Sequence, residues 1–190
     1  YFDYDSKKSG GITVSNLRFG PKPINSPYLI VSSDFVSCST EAYFYKYDML
    51  EGLRKGGTFL MNTVWTPEEL EKALPAKFKR EIANNDIKFY TINATKIAEE
   101  IGLGRRTNMI MQAAFFKLAD IIPIDDAVKF STESIKKTYG LKGDKIVNMN
   151  YAAVDAGIDP ANLVQIDVPE SWKTAEEAPV EAKDVSKFVK

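Results

Sequence analysis

The chain has 190 residues, of which 44% are hydrophobic, and its formal net charge is −1. This length fits one large domain or one domain with a tail, and the apolar content is sufficient for a substantial core. The near-neutral charge argues against a nucleic-acid-binding protein, which usually has a strong basic excess. No apolar run approaches the roughly 18 residues of a membrane span and no signal peptide is visible, so we expect a soluble, cytoplasmic protein.

The chain lacks histidine and has a single cysteine, Cys38. These two facts exclude an intrachain disulfide, a local ligand set for an iron–sulfur cluster or structural zinc, and the Ser-His-Asp and Cys-His catalytic groups. Chemistry must therefore come from carboxylates, lysines or hydroxyls, or from a cofactor and residues held elsewhere, and we favour the second source. A reactive thiol at Cys38 is one reading, but without a neighbouring histidine an inert small residue is favoured.

Strand and helix patterns alternate along the chain. Apolar or β-branched runs predict strands over residues 11–19, 28–33, 58–63, 87–93 and 163–168. Helical spacing predicts helices over residues 40–54, 66–75, 76–86, 94–102, 107–119, 125–139 and 142–156. This order predicts a single three-layer α/β/α domain, Rossmann-like, with a mostly parallel sheet. We assign it to residues 1–172 and expect residues 173–190, rich in Ala, Glu and Lys, to be a connector.

Two helix boundaries have specific signals. Thr66-Pro67-Glu68-Glu69 combines a threonine cap, a proline in the first turn and a capping-box glutamate, which predicts a helix start. Gly56-Gly57 predicts the end of the helix over residues 40–54.

A lysine- and glycine-rich segment, "DSKKSGG" at residues 5–11, is the first candidate site. Lys7 and Lys8 offer positive charge to a phosphate, while Ser9 and Gly10 belong to a loop that brings backbone N–H groups to an anion. The alternative is a polar hairpin whose lysines lie in water, and the sequence alone favours it. The segment has neither Walker-loop nor G-x-G-x-x-G spacing, so it indicates no nucleotide fingerprint.

The second candidate site is the start of the buried helix at residues 107–119, where Arg105, Arg106, Thr107 and Asn108 follow one another. Free N–H groups and the helix dipole attract anions at such a position. In the alternative reading Thr107 or Asn108 caps the helix and the arginines pair with carboxylates. The sequence leaves these readings level.

Three further features have ordinary explanations beside functional ones. The proline-rich segment at residues 19–28 either walls a pocket or docks on a neighbouring domain, or it is a plain crossover, which the sequence favours. Asn148 and Asn150 precede an alanine-rich helical face, where amides usually cap or pack. Asp125 and Asp126 suit a helix start, and we assign them no catalysis.

Four long motifs carry a family resemblance: "YDSKKSGGITVSNLRFGPKPI", "DMLEGLRKGGTFLMNT", "GLGRRTNMIMQAAFF" and "IVNMNYAAVDAG". In this order they resemble the γ-type domain of pyruvate:ferredoxin (flavodoxin) oxidoreductases, from residue 1 to about residue 172. The resemblance implies an oxidoreductase that decarboxylates pyruvate on thiamine diphosphate with Mg²⁺ and forms acetyl-CoA. Electrons would pass through [4Fe–4S] clusters to ferredoxin or flavodoxin, in an enzyme that is a homodimer. Thiamine and clusters would lie in other domains of the same polypeptide, and coenzyme A at this one.

The resemblance also implies site residues. Lys7 matches the coenzyme A lysine of the family, and Asn108 matches its asparagine after "GRRT". Lys8, Ser9, Gly10 and Arg106 are physical additions as phosphate-facing neighbours. A further basic contact of many relatives would fall at residues 148–150, where this chain offers Asn150 instead.

The family has a glycine-rich strand–loop–helix just before the position of Tyr1, and that unit takes part in holding coenzyme A. We therefore expect part of the site to lie outside this sequence and the isolated chain to be catalytically inactive. Two other roles stay open: a purely architectural domain, and an independent nucleotide-binding α/β enzyme.

Overall fold

The computed structural model of the protein describes residues 2–4, 13–20, 22–25 and 29–177. The strands are β1 (Phe2–Tyr4), β2 (Thr13–Ser15), β3 (Ser33–Cys38), β4 (Leu53–Asn62), β5 (Lys88–Ile92) and β6 (Val164–Gln165). The α-helices are α1 (Pro67–Ala73), α2 (Ala76–Asn84), α3 (Ala94–Ile101), α4 (Asn108–Ala119), α5 (Ile124–Tyr139) and α6 (Asp144–Ile158). Short 3₁₀ helices occur at Glu41–Tyr45, Gly140–Lys142 and Glu170–Thr174.

The main sheet has four strands in the order β3-β4-β5-β6. β3, β4 and β5 are parallel, and β6 pairs antiparallel with β5. The predicted mostly parallel α/β sheet is therefore confirmed. β1 and β2 form a separate antiparallel pair, with Phe2 opposite Ser15 and Tyr4 opposite Thr13.

The central strand β4 is buried on both faces. Phe59 and Met61 pack into one core with side chains of α1 and α2, whereas Leu60 packs into a second core with side chains of α3 to α6. Successive residues of a strand point to opposite faces, so a run without polar residues has to be covered on both sides. The result is the predicted three-layer α/β/α arrangement.

The first core is built around aromatic rings. Phe44, Phe59, Phe78 and Phe89 pack pairwise with ring centroids 4.7 to 5.9 Å apart, mostly edge to face. Such pairs contribute about 0.5–1.5 kcal/mol each beyond the burial of their area. They join the Glu41–Tyr45 segment, β4, α2 and β5, and so hold neighbouring strands and helices of this face together.

The helix start predicted at Thr66 agrees with the structure. Thr66 Oγ1 accepts a hydrogen bond from Glu69 N, and the Glu69 carboxylate accepts one from Thr66 N, which completes the predicted capping box. Gly102 ends α3 in the left-handed region with φ of 91°. Of residues 163–168, only Val164–Gln165 form a strand, and of the described part of residues 11–19 only Thr13–Ser15 do.

The predicted strand at residues 28–33 is wrong. Residues 29–32 are irregular and the strand is the following segment, β3. Val31 is 85% exposed, so the apolar run lies on the surface. Phe35 and Val36 alternate between the two cores in spite of the polar residues around them.

The predicted helix at residues 40–54 is also wrong. It is a 3₁₀ helix, Glu41–Tyr45, followed by turns, and β4 begins at Leu53. Asp48 Oδ1 accepts a hydrogen bond from Leu50 N and competes with the helix. Gly52 has φ of 75°, and a Cβ there would lie 2.6 Å from Val31 O. Gly56-Gly57 lies inside β4 and does not end a helix.

The described part of the carboxyl-terminal segment packs on α2. Trp172 is buried and its Nε1 donates to Glu71 Oε2, while Asn84 Nδ2 donates to Lys173 O. Arg80 also hydrogen-bonds to the backbone carbonyl of Ala175. Residues up to 177 thus contact the domain, and residues 178–190 lie outside the described part. The connector at residues 173–190 stays a prediction.

Gly157 gives a direct test of the α4–α6 contact. A Cβ at this position would lie 2.4 Å from Ile110 O and 2.8 Å from Ala113 Cβ. We predict that Gly157→Ala lowers the free energy of unfolding by about 1–3 kcal/mol, because overpacking outweighs the ~1 kcal/mol by which alanine favours a helix. Urea denaturation of the chain measures this. Gly140→Ala is the control, because the position that its Cβ would take has no neighbouring atom within 4 Å; equal stability of the two variants would contradict the packing.

Candidate functional site

The lysine-rich segment lies outside the described residues. Lys7, Lys8, Ser9 and Gly10 all fall in residues 5–12, which connect β1 to β2. Because β1 and β2 pair antiparallel, this segment joins two adjacent strands. Its predicted role in anion binding stays a prediction.

The amino terminus of α4 has the features of an anion site. Thr107 occupies the N-cap position, but its side chain makes no capping hydrogen bond. The first hydrogen bond at this end runs from Met111 N to Thr107 O at 3.0 Å, so the N–H groups of residues 108–110 have no acceptor among the described residues. Asn108 is the first helical residue and is exposed. Its amide and three backbone donors therefore lie at the same end of the helix.

Arg105 and Arg106 stand beside this terminus and are both exposed. Neither forms an ion pair with a carboxylate in the described part of the chain. The reading in which these arginines pair with carboxylates therefore finds no support among the described residues. A cation at the positive end of a helix dipole costs about 0.3–1 kcal/mol, and a bound anion removes that cost.

The loop that carries the arginines is firmly held. Gly102 N donates to Glu99 O at 3.0 Å and Leu103 N to Ala98 O at 2.7 Å, which closes the end of α3. Leu103 is buried, and a Cβ on Gly102 would lie 3.2 Å from Met149 Cε on α6. The loop thus lies against α6, and Arg106 and Asn108 follow it at the surface.

Asn150 is placed differently from the other candidates. It lies inside α6, is 5% exposed, and its Nδ2 donates to Ile146 O one turn earlier at 2.8 Å. This is the packing role that an amide commonly has in a helix. Asn148 on the same helix is exposed.

A polar network at the carboxyl ends of β3, β4 and β5 was missed by the sequence analysis. Asn62 is buried at the end of β4, and its Nδ2 donates to Ser39 O at 3.1 Å and to Thr95 Oγ1 at 3.3 Å. Its Oδ1 accepts from Ala94 N at 2.9 Å. One side chain thus ties the ends of three strands together. The signal for it was present, since polar residues of the Ser, Thr or Asn type stand at the end of each strand.

Glu41 completes this network. Its Oε1 accepts from Thr63 Oγ1 at 2.5 Å and from Val64 N at 2.8 Å. Thr63 Oγ1 in turn accepts from Trp65 N at 3.0 Å. Ligands of open α/β sheets bind outside the carboxyl ends of the strands, and here these hydrogen bonds hold that edge rigid.

Cys38 lies next to this edge and is 1% exposed. Burial raises the pKa of its thiol and the nearby Glu41 charge acts in the same direction, whereas a backbone hydrogen bond from Thr40 lowers it. The environment is that of an inert residue.

The described residues provide no other obvious chemical centre. No group of three His, Cys, Asp or Glu side chains in this part of the chain is placed to hold a metal ion. No helix of the described part combines the length and apolar character needed to cross a membrane.

The mostly parallel sheet covered by helices on both faces defines the class of this protein as a three-layer α/β domain. The model of the pyruvate ferredoxin/flavodoxin oxidoreductase family matches residues 1–159. The chain belongs to this family. The predicted family membership is therefore confirmed.

Curated relatives give the same result. The chain is 56% identical over 190 residues to the pyruvate-flavodoxin oxidoreductase of Enterobacter agglomerans and 52% identical over 190 residues to the pyruvate:ferredoxin oxidoreductase of Moorella thermoacetica. All of this chain is covered, but only 16% of either relative. It is also 45% identical over 175 residues to the mitochondrial pyruvate dehydrogenase [NADP(+)] of Euglena gracilis, covering 92% of this chain and 10% of that protein.

A solved structure supports the fold. The crystal structure of pyruvate oxidoreductase subunit PORC from Thermotoga maritima superposes with a TM-score of 0.56, covering 73% of this chain and 67% of that one. The sequence identity is 20%, so this likeness bears on the fold alone.

The environment of Cys38 predicts slow thiol chemistry. We expect iodoacetamide to modify Cys38 in the folded chain at pH 8 at least about 100-fold more slowly than in urea-unfolded chain, because burial limits access and the raised pKa leaves less thiolate. The rate in the folded chain should begin to rise only at a higher pH than in the unfolded one. Mass spectrometry of timed aliquots measures both rates. Equal rates at pH 8 would contradict the buried, protonated thiol.

Proposed function

We propose that this chain forms the coenzyme A-binding domain of a pyruvate:ferredoxin or pyruvate:flavodoxin oxidoreductase. In this reaction pyruvate and coenzyme A become acetyl-CoA and carbon dioxide, and electrons leave to the acceptor protein. The single observation that carries the proposal is the α4 terminus, where uncapped N–H groups, an exposed Asn108 and the unpaired Arg105 and Arg106 of the described chain meet.

The chemistry of coenzyme A fits these groups. Its diphosphate and 3′-phosphate are multiply charged anions, which suit a helix amino terminus and arginine side chains. Asn108 adds a neutral hydrogen-bond donor, which contributes to ligand selectivity through its geometry and not through charge. Lys7 and Lys8 would supply further charge from the segment between β1 and β2. Asn150 is buried and bonded to its own helix, so we leave it out of the proposed contact set.

The relatives support a role in a step that does not depend on the electron acceptor. Their names refer to flavodoxin, ferredoxin and NADP⁺, yet this chain is 45–56% identical to all three. A domain that occurs with such different electron acceptors is suited to a reaction step that does not involve the acceptor. Transfer of the acetyl group to coenzyme A is such a step.

The residues of this chain would act by positioning. Thiamine diphosphate, Mg²⁺ and [4Fe–4S] clusters would supply the decarboxylation and electron-transfer chemistry from other domains. The α4 terminus would hold the phosphates of coenzyme A and leave the thiol free to reach the reacting centre. Such orientation can supply a large part of a rate enhancement without any acid or base, which agrees with a chain that has no histidine.

The proposal predicts a selective defect in coenzyme A use. In the full-length enzyme, Arg106→Ala and Asn108→Ala should each raise the KM for coenzyme A about 10-fold or more, since a hydrogen bond to a charged group is worth about 1.5–3 kcal/mol. The KM for pyruvate should stay unchanged. Steady-state kinetics with each substrate varied in turn measures this, and Lys7→Ala tests the predicted lysine in the same way.

Lys129→Ala is the matched control. Lys129 is also an exposed cation, but it belongs to α5 and is distant in sequence from the start of α4. It should leave both KM values unchanged. If the variants at residues 106 and 108 keep the wild-type KM for coenzyme A, the domain does not hold the phosphates. A thermal melt of each variant separates this outcome from misfolding.

A further inference from the structure

The described residues between 13 and 31 expose an unusual number of large apolar side chains. Leu17 is 61% exposed and Val31 is 85% exposed, and they are members of a larger set. We define the apolar strip as the exposed residues Val14, Leu17, Phe19, Ile24, Leu29 and Val31. The other large exposed apolar residues of the described chain are scattered between residues 45 and 164. Isolated residues of that kind are normal, whereas several exposed apolar side chains concentrated in one segment indicate an interface.

The strip is anchored to the domain through Phe19, and its first and last parts are joined to each other. The Phe19 ring packs on Phe115 of α4 at 5.9 Å, and Phe115 packs edge to face on Phe35 of β3 at 5.0 Å. The guanidinium of Arg18 donates to Leu29 O at 3.0 Å and so joins the residues around Arg18 to those around Leu29. A surface that is ordered before binding loses less entropy when it binds.

The charges in and beside the strip indicate which charges a complementary surface should have. Residues 13–31 contain two cations, Arg18 and Lys22, and no carboxylate. Lys22 is exposed and forms no ion pair with the described residues. The complementary surface is therefore an apolar face with carboxylates at its rim.

We propose that the apolar strip docks on such a face of another domain of the same polypeptide. This chain accounts for 16% of the length of its relatives, so most of each of those polypeptides lies outside it. A tethered domain is present at a high effective concentration, and an apolar contact of modest area then suffices for stable docking. The proposal rests on family membership and not on the coenzyme A site, so either can fail without the other.

Hydroxyl-radical footprinting of the full-length protein tests whether the strip is covered. Leu17, Phe19 and Leu29 should be oxidised at least about 10-fold more slowly than in a synthetic peptide of residues 13–31, because a packed interface excludes solvent. No substitution is needed, so misfolding does not confuse the result. Oxidation at the rate of the peptide would overturn the proposal.

Carbodiimide cross-linking identifies what covers the strip. Lys22 should form an amide with an Asp or Glu that lies outside this chain in the same polypeptide. Lys55, whose Nζ lies 3.1 Å from Asp86 Oδ2, supplies the internal positive control. If the Lys55–Asp86 link forms and Lys22 links to nothing outside residues 1–190, the proposal fails. A mixture of ¹⁵N-labelled and unlabelled protein detects links between two copies, and Lys22 links found only between copies would overturn it in favour of self-association.

Discussion

The central strand β4 has to be covered on both faces, and the other elements follow from this requirement. Phe59, Leu60 and Met61 are all fully buried, although consecutive residues of a strand point in opposite directions. Helices α1 and α2 with the 3₁₀ helix Glu41–Tyr45 cover one face, and α3 to α6 cover the other. The covering helices in turn determine where the loops and helix termini reach the surface.

The two polar regions of the molecule differ in whether their hydrogen-bonding groups have partners within the protein. At the carboxyl ends of the strands, Asn62 and Glu41 satisfy the backbone and hold the edge rigid. Their hydrogen bonds are made within the protein, which is a structural role. At the start of α4 the donors lack such partners among the described residues, and the loop before them is fixed by the closure of α3. Unpaired donors on a rigid support are what a ligand site requires.

Sequence patterns predicted those features whose causes are local. The Thr66–Glu69 capping box depends on neighbouring residues alone and was confirmed. The strand at residues 28–33 was wrong because its apolar run lies on the surface, where Val31 is exposed. The helix at residues 40–54 was wrong because Gly52 turns the chain against Val31 O, a contact with an earlier segment that no local pattern shows. Glu41 and Thr63 are 22 residues apart, and no local pattern joins them. The sequence named both Asn108 and its neighbour Arg106, but only the structure shows that Arg106 forms no ion pair with the described residues.

Amide hydrogen exchange of the full-length enzyme, with and without coenzyme A, tests the central claim most directly. The claim is that phosphates of coenzyme A accept hydrogen bonds from the N–H groups at the start of α4. Bound ligand should therefore slow exchange at residues 108–110, where the structure gives these groups no acceptor among the described residues. Exchange that coenzyme A slows only outside this chain, with residues 108–110 unaffected at saturation, would contradict the account.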